Sequence, residues 1–207
     1  LECKKMIEFV NELNSSYNLS LHVLNIGGGF GIKYTEDDQA LPIKDMMSNV
    51  VSFIENELSN TKSLLNHFMI EPGRSIVGNA GITLYSISQI KKTYGKKQYL
   101  FIDGGMADNI RPALYDAVYS VDVVNKMNNS KDVLVDVVGK CCESGDIIRK
   151  DVLVPNIENG DILMVYSTGA YNYTMSSNYN SLLKPAVILV GDNISILKRR
   201  QTLEELL

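Results

Sequence analysis

The hexapeptide CCESGD, residues 141–146, sets two adjacent thiols, two carboxylates and a glycine in six positions, just after the apolar run Val133 to Val138. Such a cluster could bind a metal, form a disulfide or carry a reactive thiol. Adjacent cysteines lack the CxxC spacing of a structural zinc site, and only His22 and His67 could add imidazole ligands. No metal set is assigned. Three cysteines, with Cys3 far from the adjacent pair, also cannot build the even, spaced disulfide framework of a small secreted protein. Reduced thiols are the simpler reading, and Cys142 is then a candidate for chemistry or, as free cysteines often are, a small buried hydrophobe.

Four other stretches could handle a ligand. GGGFG (27–31) follows the apolar run LHVLNI (21–26). Glycines there let backbone N–H groups approach an anion and tolerate positive φ, so the stretch is a phosphate cradle or a plain tight turn. The GxGxxG spacing fails at Ile32, and no Walker lysine follows. EPGR (71–74) follows HFMI (67–70), at the carboxyl end of the next strand, where open sheets and βα barrels hold ligands. Alone it would be an ordinary Pro-Gly turn with a local Glu71–Arg74 ion pair. In DGGMADNIRPALYDA (103–117), Arg111 and Tyr115 fall four apart; if Pro112 opens a helical turn, both could face one way and hold a carboxylate. GAYNYTMSSNYN (169–180) offers hydroxyls and amides with little charge, which suits a small polar ligand.

The elements that must position these residues divide the chain in two. Met6, Ile7, Phe9, Val10 and Leu13 recur at helical spacing over residues 1–14, and Ile43 to Leu58 repeats that pattern after Pro42. Helix, strand, glycine turn, helix, strand and polar turn predict an α/β region with a parallel sheet to about residue 80. From there ITLYSISQI, QYLFID, VLVDVVG, ILMVYS and AVILVG, separated by turn signals, predict an antiparallel β domain. TLEELL (202–207) reads as a short capped helix. The expected division is residues 1–80 and 81–207.

The 207 residues are 45% hydrophobic, enough for a sizeable core. A net charge of -4 and a pI near 5.2 give no general attraction to nucleic acid, and the basic KRR at 198–200 is short. No apolar run approaches the roughly 18 residues of a membrane span, and the start lacks a signal-peptide layout. A cytoplasmic protein with no membrane or nucleic-acid partner is expected. The first residue is Leu1 rather than methionine, so a processed or truncated chain is expected as well.

The ordered set GGGFG, EPGR, DGGM with RPALYDA, CCESGD and GAY with SSNYN resembles the pyridoxal-phosphate decarboxylases that carry an alanine-racemase-like barrel. The likeness runs from about residue 20 to 205. EPGR is common to the whole family, whereas RPALYDA with CESGD resembles the members acting on meso-diaminopimelate. Members acting on ornithine have aspartate after the cysteine, where this chain has Glu143. The resemblance implies the C-terminal part of a cofactor-binding (β/α)8 barrel followed by an antiparallel β-barrel or sandwich, with pyridoxal 5'-phosphate as cofactor. It implies that Gly27, Gly28 and Gly29 bind the cofactor phosphate, that Glu71, Pro72, Gly73 and Arg74 flank it, and that Glu71 pairs with the ring nitrogen. Arg74, Arg111 and Tyr115 would hold the distal carboxylate of the substrate, Glu143 its distal ammonium, and Tyr171 would touch cofactor and substrate. Cys142 would return a proton to carbon after CO2 leaves, reaching the neighbouring subunit's site in a homodimer. The activity implied is conversion of meso-diaminopimelate to L-lysine and CO2; the alternatives are an ornithine- or arginine-type decarboxylase, or a non-catalytic relative.

The family's Schiff-base lysine and the histidine stacked on the cofactor ring have no matching position here. No lysine is therefore assigned that role, and the chain alone is expected to be inactive.

Overall fold

The computed structural model describes residues 2–95 and 97–207, which form two compact units. The first holds residues up to Lys33 and Asp38–Val77; the second holds Tyr34–Asp37 and Gly78–Leu207.

In the first unit, helix α1 (Glu2–Tyr17) buries Ile7 and Val10. The Asn14 side chain donates to the Leu21 carbonyl at 3.0 Å and accepts the Leu21 N–H at 2.8 Å. This clamp turns the chain out of α1 into strand β1 (Val23–Asn25), which is shorter than the six-residue run expected. Helix α2 (Ile43–Ser59) begins after Pro42, which cannot donate to a preceding turn and whose fixed φ suits a helix start. It leads to strand β2 (His67–Met69), parallel to β1 with Leu24 opposite Phe68. Ile7, Val10, Leu24 and Leu65 form the core, with Met6, Leu58 and Phe68 packed against it. The short helix α3 (Arg74–Val77) closes the unit.

The second unit is built on strands β3 (Thr83–Lys92), β4 (Gln98–Ile102), β5 (Val121–Val123), β6 (Val133–Val138), β7 (Ile147–Val154) and β8 (Ile162–Val165), with helix α4 (Arg111–Tyr115) before β5. They form one sheet in the order β5-β8-β3-β4-β6-β7, whose edge strands β5 and β7 also touch, so the sheet nearly closes on itself. Its interior is apolar, with Ile87, Leu100, Ile102, Val135, Val137, Ile148 and Leu163 fully buried.

The sheet is mixed, where the sequence texture predicted an antiparallel one. β4 and β6 run parallel, with Leu100 opposite Val137. A parallel pair needs a long crossover, and residues 103–132 supply it. That crossover contains DGGMADNIRPALYDA, so the departure from antiparallel pairing and the candidate ligand loop are one feature.

Helix α5 (Asn172–Met175) follows β8, and strands β9 (Val187–Val190) and β10 (Ile194–Lys198) pair antiparallel in a sheet of their own. The expected TLEELL helix is a turn. Glu205 and Leu206 donate to Thr202 and Leu203 in an i to i+3 pattern, and Arg199 with the Thr202 N–H draws the Glu205 carboxylate back over it. Among the described residues no helix is long and apolar enough to cross a membrane.

Candidate active site

In the first unit the two glycine-rich turns are joined. The Glu71 N–H donates to the Gly27 carbonyl at 2.7 Å, and Ile26 N–H to Met69 at 2.9 Å, extending the β1–β2 ladder past the strand ends. Gly27 and Gly29 have φ of 77° and 86°, in the left-handed region that favours glycine. A Cβ on Gly28 would lie 2.5 Å from the Glu71 carbonyl oxygen, so GGG and EPGR touch only because that residue is glycine. Asn25 fixes both: its Oδ1 accepts the Gly27 N–H at 2.8 Å and its Nδ2 donates to Glu71 Oε1 at 2.7 Å. Pro72 and Gly73 carry the chain into α3, where the Ile76 N–H reaches the Gly73 carbonyl at 3.1 Å and Arg74 is half-buried. The edge is thus an open glycine turn with a fixed carboxylate beside it. Gly28 and Gly29 are exposed, while the Gly27 N–H is taken by Asn25; exposed glycine backbone fits a phosphate and a held carboxylate fits a ring N–H, so the residues present suit pyridoxal phosphate.

In the second unit Arg111 and Tyr115 do face one way. The Arg111 guanidinium carbon lies 5.1 Å from the Tyr115 ring centre and 5.7 Å from that of Tyr171. Pro112 sets the start of α4, and Asp116 at φ 52° ends it after a single turn. Arg111 is only 7% exposed, and its Nε donates to the Tyr119 hydroxyl at 3.1 Å. Burial pushes the Tyr119 phenol up, against the opposing effect of Arg111. Among the described residues Arg111 makes no ion pair with a carboxylate. A buried guanidinium without an anion is costly unless something supplies one. Tyr171, at φ 67° before α5, is partly exposed and presents its ring to the guanidinium.

Three loops of this unit converge. Cys142 is exposed, and its N–H donates to Asn180 Oδ1 at 3.0 Å. The Tyr179 hydroxyl donates to Glu143 Oε1 at 2.8 Å, which pushes the phenol up. Ser177 N–H reaches the Ala107 carbonyl at 2.9 Å, and Lys140 N–H the Gly104 carbonyl at 3.0 Å. CCESGD, GAYNYTMSSNYN and the start of the crossover are therefore bound to one another. Cys141 is buried, and burial followed by the nearby Asp146 charge pushes its thiol up to about 11. Of the two adjacent cysteines only Cys142 is available to react.

Sequence reasoning missed Asn25, Tyr119, Asn180 and the work of Asp146. The first could have been suspected from its place just before the glycine run, where an Asx side chain caps a turn. Gly27, Gly28, Gly29 and Glu71 come together in the first unit, and Arg111, Tyr115 and Tyr171 in the second, where Cys142 and Glu143 join residues 177–180.

The chain has matches among known proteins. The sequence profile of the pyridoxal-dependent decarboxylase C-terminal sheet domain covers residues 15–169, and the chain belongs to that family. Its curated relatives include the diaminopimelate decarboxylases of Bacillus subtilis, 41% identical over all of this chain and 47% of the relative, and of Staphylococcus aureus, 45% identical over 91% of this chain and 45% of the relative. The chain thus spans about half the length of the relatives it matches. Among solved structures, diaminopimelate decarboxylase from M. jannaschii in complex with L-lysine superposes with a TM-score of 0.89 at 30% identity, over 98% of this chain and 46% of that one. A lysine/ornithine decarboxylase from Vibrio vulnificus with cadaverine gives 0.69 at 25% identity, over 86% and 47%.

Proposed function

We propose that this chain forms the substrate-binding and proton-donating part of a decarboxylase that uses pyridoxal 5'-phosphate to convert meso-diaminopimelate to L-lysine and CO2. The carrying observation is Arg111: a buried guanidinium with no internal carboxylate among the described residues, flanked by Tyr115 and Tyr171. Its Nη atoms offer the fork that binds a carboxylate bidentately, and diaminopimelate retains such a group after the first leaves.

Gly27, Gly28 and Gly29 with Pro72 and Gly73 would hold the cofactor phosphate, and Glu71, oriented by Asn25, its ring nitrogen. When bound, the cofactor supplies an electron sink for the pair released as CO2 departs. Arg111, Tyr115 and Arg74 would bind the distal carboxylate, Glu143 the distal ammonium, and Tyr171 would touch cofactor and substrate. Cys142 Sγ gives a proton to the carbon that has lost its carboxylate. The α/β unit is read as the C-terminal part of a (β/α)8 barrel, and the mixed sheet as the family's β-barrel domain. The covalent anchor of the cofactor is assigned to a segment outside this chain, so the 207 residues alone release no CO2. The assembled enzyme is a cytoplasmic homodimer with shared active sites.

The test compares CO2 release from meso-diaminopimelate and from ornithine by the assembled protein. Strong preference for diaminopimelate is expected, because ornithine has no distal carboxylate for Arg111. Equal rates would reject the reading.

A further inference from the structure

Asp146 is only 3% exposed, yet no lysine or arginine forms an ion pair with it among the described residues. Its charge is met by backbone. Oδ1 accepts the Met106 N–H at 2.6 Å and Oδ2 the Cys141 N–H at 2.8 Å, so the carboxylate joins its own loop to one forty residues away. Its own N–H donates to the Glu143 carbonyl at 3.1 Å and its carbonyl accepts the Gly139 N–H at 2.9 Å, closing the 139–146 loop around it. The space is cut to fit: a Cβ on Gly105 or Gly139 would come within 2.5 or 2.2 Å of a carboxylate oxygen. The loop it fixes carries Cys142 and Glu143, and the other leads through Asn109 into Arg111.

We propose that Asp146 is the positioning residue of the site: its carboxylate sets the Cys142–Glu143 loop against the crossover that presents Arg111. A buried carboxylate suits this because its two oxygens can each take a strong N–H bond at fixed separation, which neither an amide nor a hydroxyl reproduces. With Asp146→Asn, one of the two backbone donors would face an NH2 group, and that strap would open.

The proposal rests on the reading of Cys142 as proton donor, but its first test does not. In the 207-residue chain, alkylation with iodoacetamide at pH 8 is followed by peptide mass. Cys142 is expected to react at least tenfold faster than Cys141. Asp146→Asn should raise Cys141 reactivity at least tenfold and bring the two together. Gly139→Ala, which keeps the charge but displaces the carboxylate, should do the same. Unchanged Cys141 reactivity in folded Asp146→Asn and Gly139→Ala chains would overturn the proposal. Should neither fold, hydrogen exchange on the unsubstituted chain decides: the Met106 and Cys141 amides must exchange as slowly as those of β6, and fast exchange of both overturns it. In the assembled enzyme, Asp146→Asn should cut kcat/KM for diaminopimelate at least tenfold with both kcat lowered and KM raised, because the displaced loop carries the donor Cys142 and the substrate ligand Glu143 together. Unchanged kcat would reject the positioning role, whereas absent CO2 release by the unsubstituted enzyme would reject the decarboxylase reading and leave the alkylation result to judge the strap.

Discussion

Tyr119 and Arg111 stand eight residues apart in sequence, and their side chains meet at 3.1 Å, phenol oxygen to Nε, beneath the surface of the sheet unit. The left-handed backbone at Asp116 makes this possible by reversing the chain between them. Tyr119 is itself held by Tyr34, whose ring meets it edge-on at 5.1 Å. The arginine is thus fixed at Nε, and among the described residues no carboxylate pairs with its outer nitrogens.

Tyr119→Phe should leave that Nε without a partner. The expected cost is about 1–2 kcal/mol in unfolding free energy and, in the assembled enzyme under the proposed function, a rise of about tenfold in KM for diaminopimelate with smaller change in kcat. Urea unfolding and steady-state kinetics measure the two; an unaltered KM would mean that the bond does not orient the guanidinium.

Gly28→Ala should force apart the turns that the Gly27–Glu71 hydrogen bond joins, because the new methyl meets backbone oxygen rather than a yielding side chain. A loss of about 1–3 kcal/mol is expected, with weakened retention of pyridoxal phosphate by the assembled enzyme. Absorbance of the bound cofactor after dialysis reads the second effect, and full retention would contradict it.

Asp161 gives the sheet unit an acid-sensitive tie. Burial alone would raise its carboxyl, but Lys126 at 2.8 Å, Asn125 at 2.6 Å and the Glu158 N–H at 2.8 Å outweigh it and hold the group below its ordinary 3.8. With the folded value depressed, the unfolded chain binds the proton first. The stabilisation is therefore present above about pH 4 and is lost as pH falls through the folded value. Asp161→Asn should lower the urea midpoint at pH 7 and reduce its fall below about pH 4; a variant with the original acid profile would assign that fall elsewhere.

Cys141 supplies the opposite sign. Its thiol is raised from 9.0 to about 11 in the folded chain, so unfolding releases a proton between those values. Its contribution to stability is whole below about pH 9 and fades as pH rises toward about 11. Alkylation of Cys141 should accelerate roughly tenfold per pH unit from about 8 to 10, following the thiolate fraction. A rate that levels off near the ordinary 9.0 would show an unshifted thiol. Cys141→Ala should remove this part of the alkaline loss of stability.

What was legible in the sequence was local. Arg111 and Tyr115 share a short helix, so their four-residue spacing and Pro112 suffice to predict a common direction. The glycine turn and EPGR end successive strands, and their partnership followed from the βα pattern. What was not legible depends on distant partners. Asp146 reads as one carboxylate in a thiol cluster, but its bond to Met106 spans forty residues. The parallel β4–β6 pair escaped because each strand alone has the same alternating texture in either direction. TLEELL carries the letters of a capped helix, yet the Arg199–Glu205 pair sets a turn.

Residues 34–37 leave the α/β unit, join the sheet unit, and return before the chain crosses a final time after Val77. Tyr34 is seated against Tyr119, and its carbonyl accepts the Ser120 N–H at 3.1 Å. The chain therefore passes between the two units three times. A protease cut after Val77 would leave the sheet unit's own Tyr34 on the opposite fragment, and a recombination event there would transplant the sheet without the tyrosine that braces its arginine.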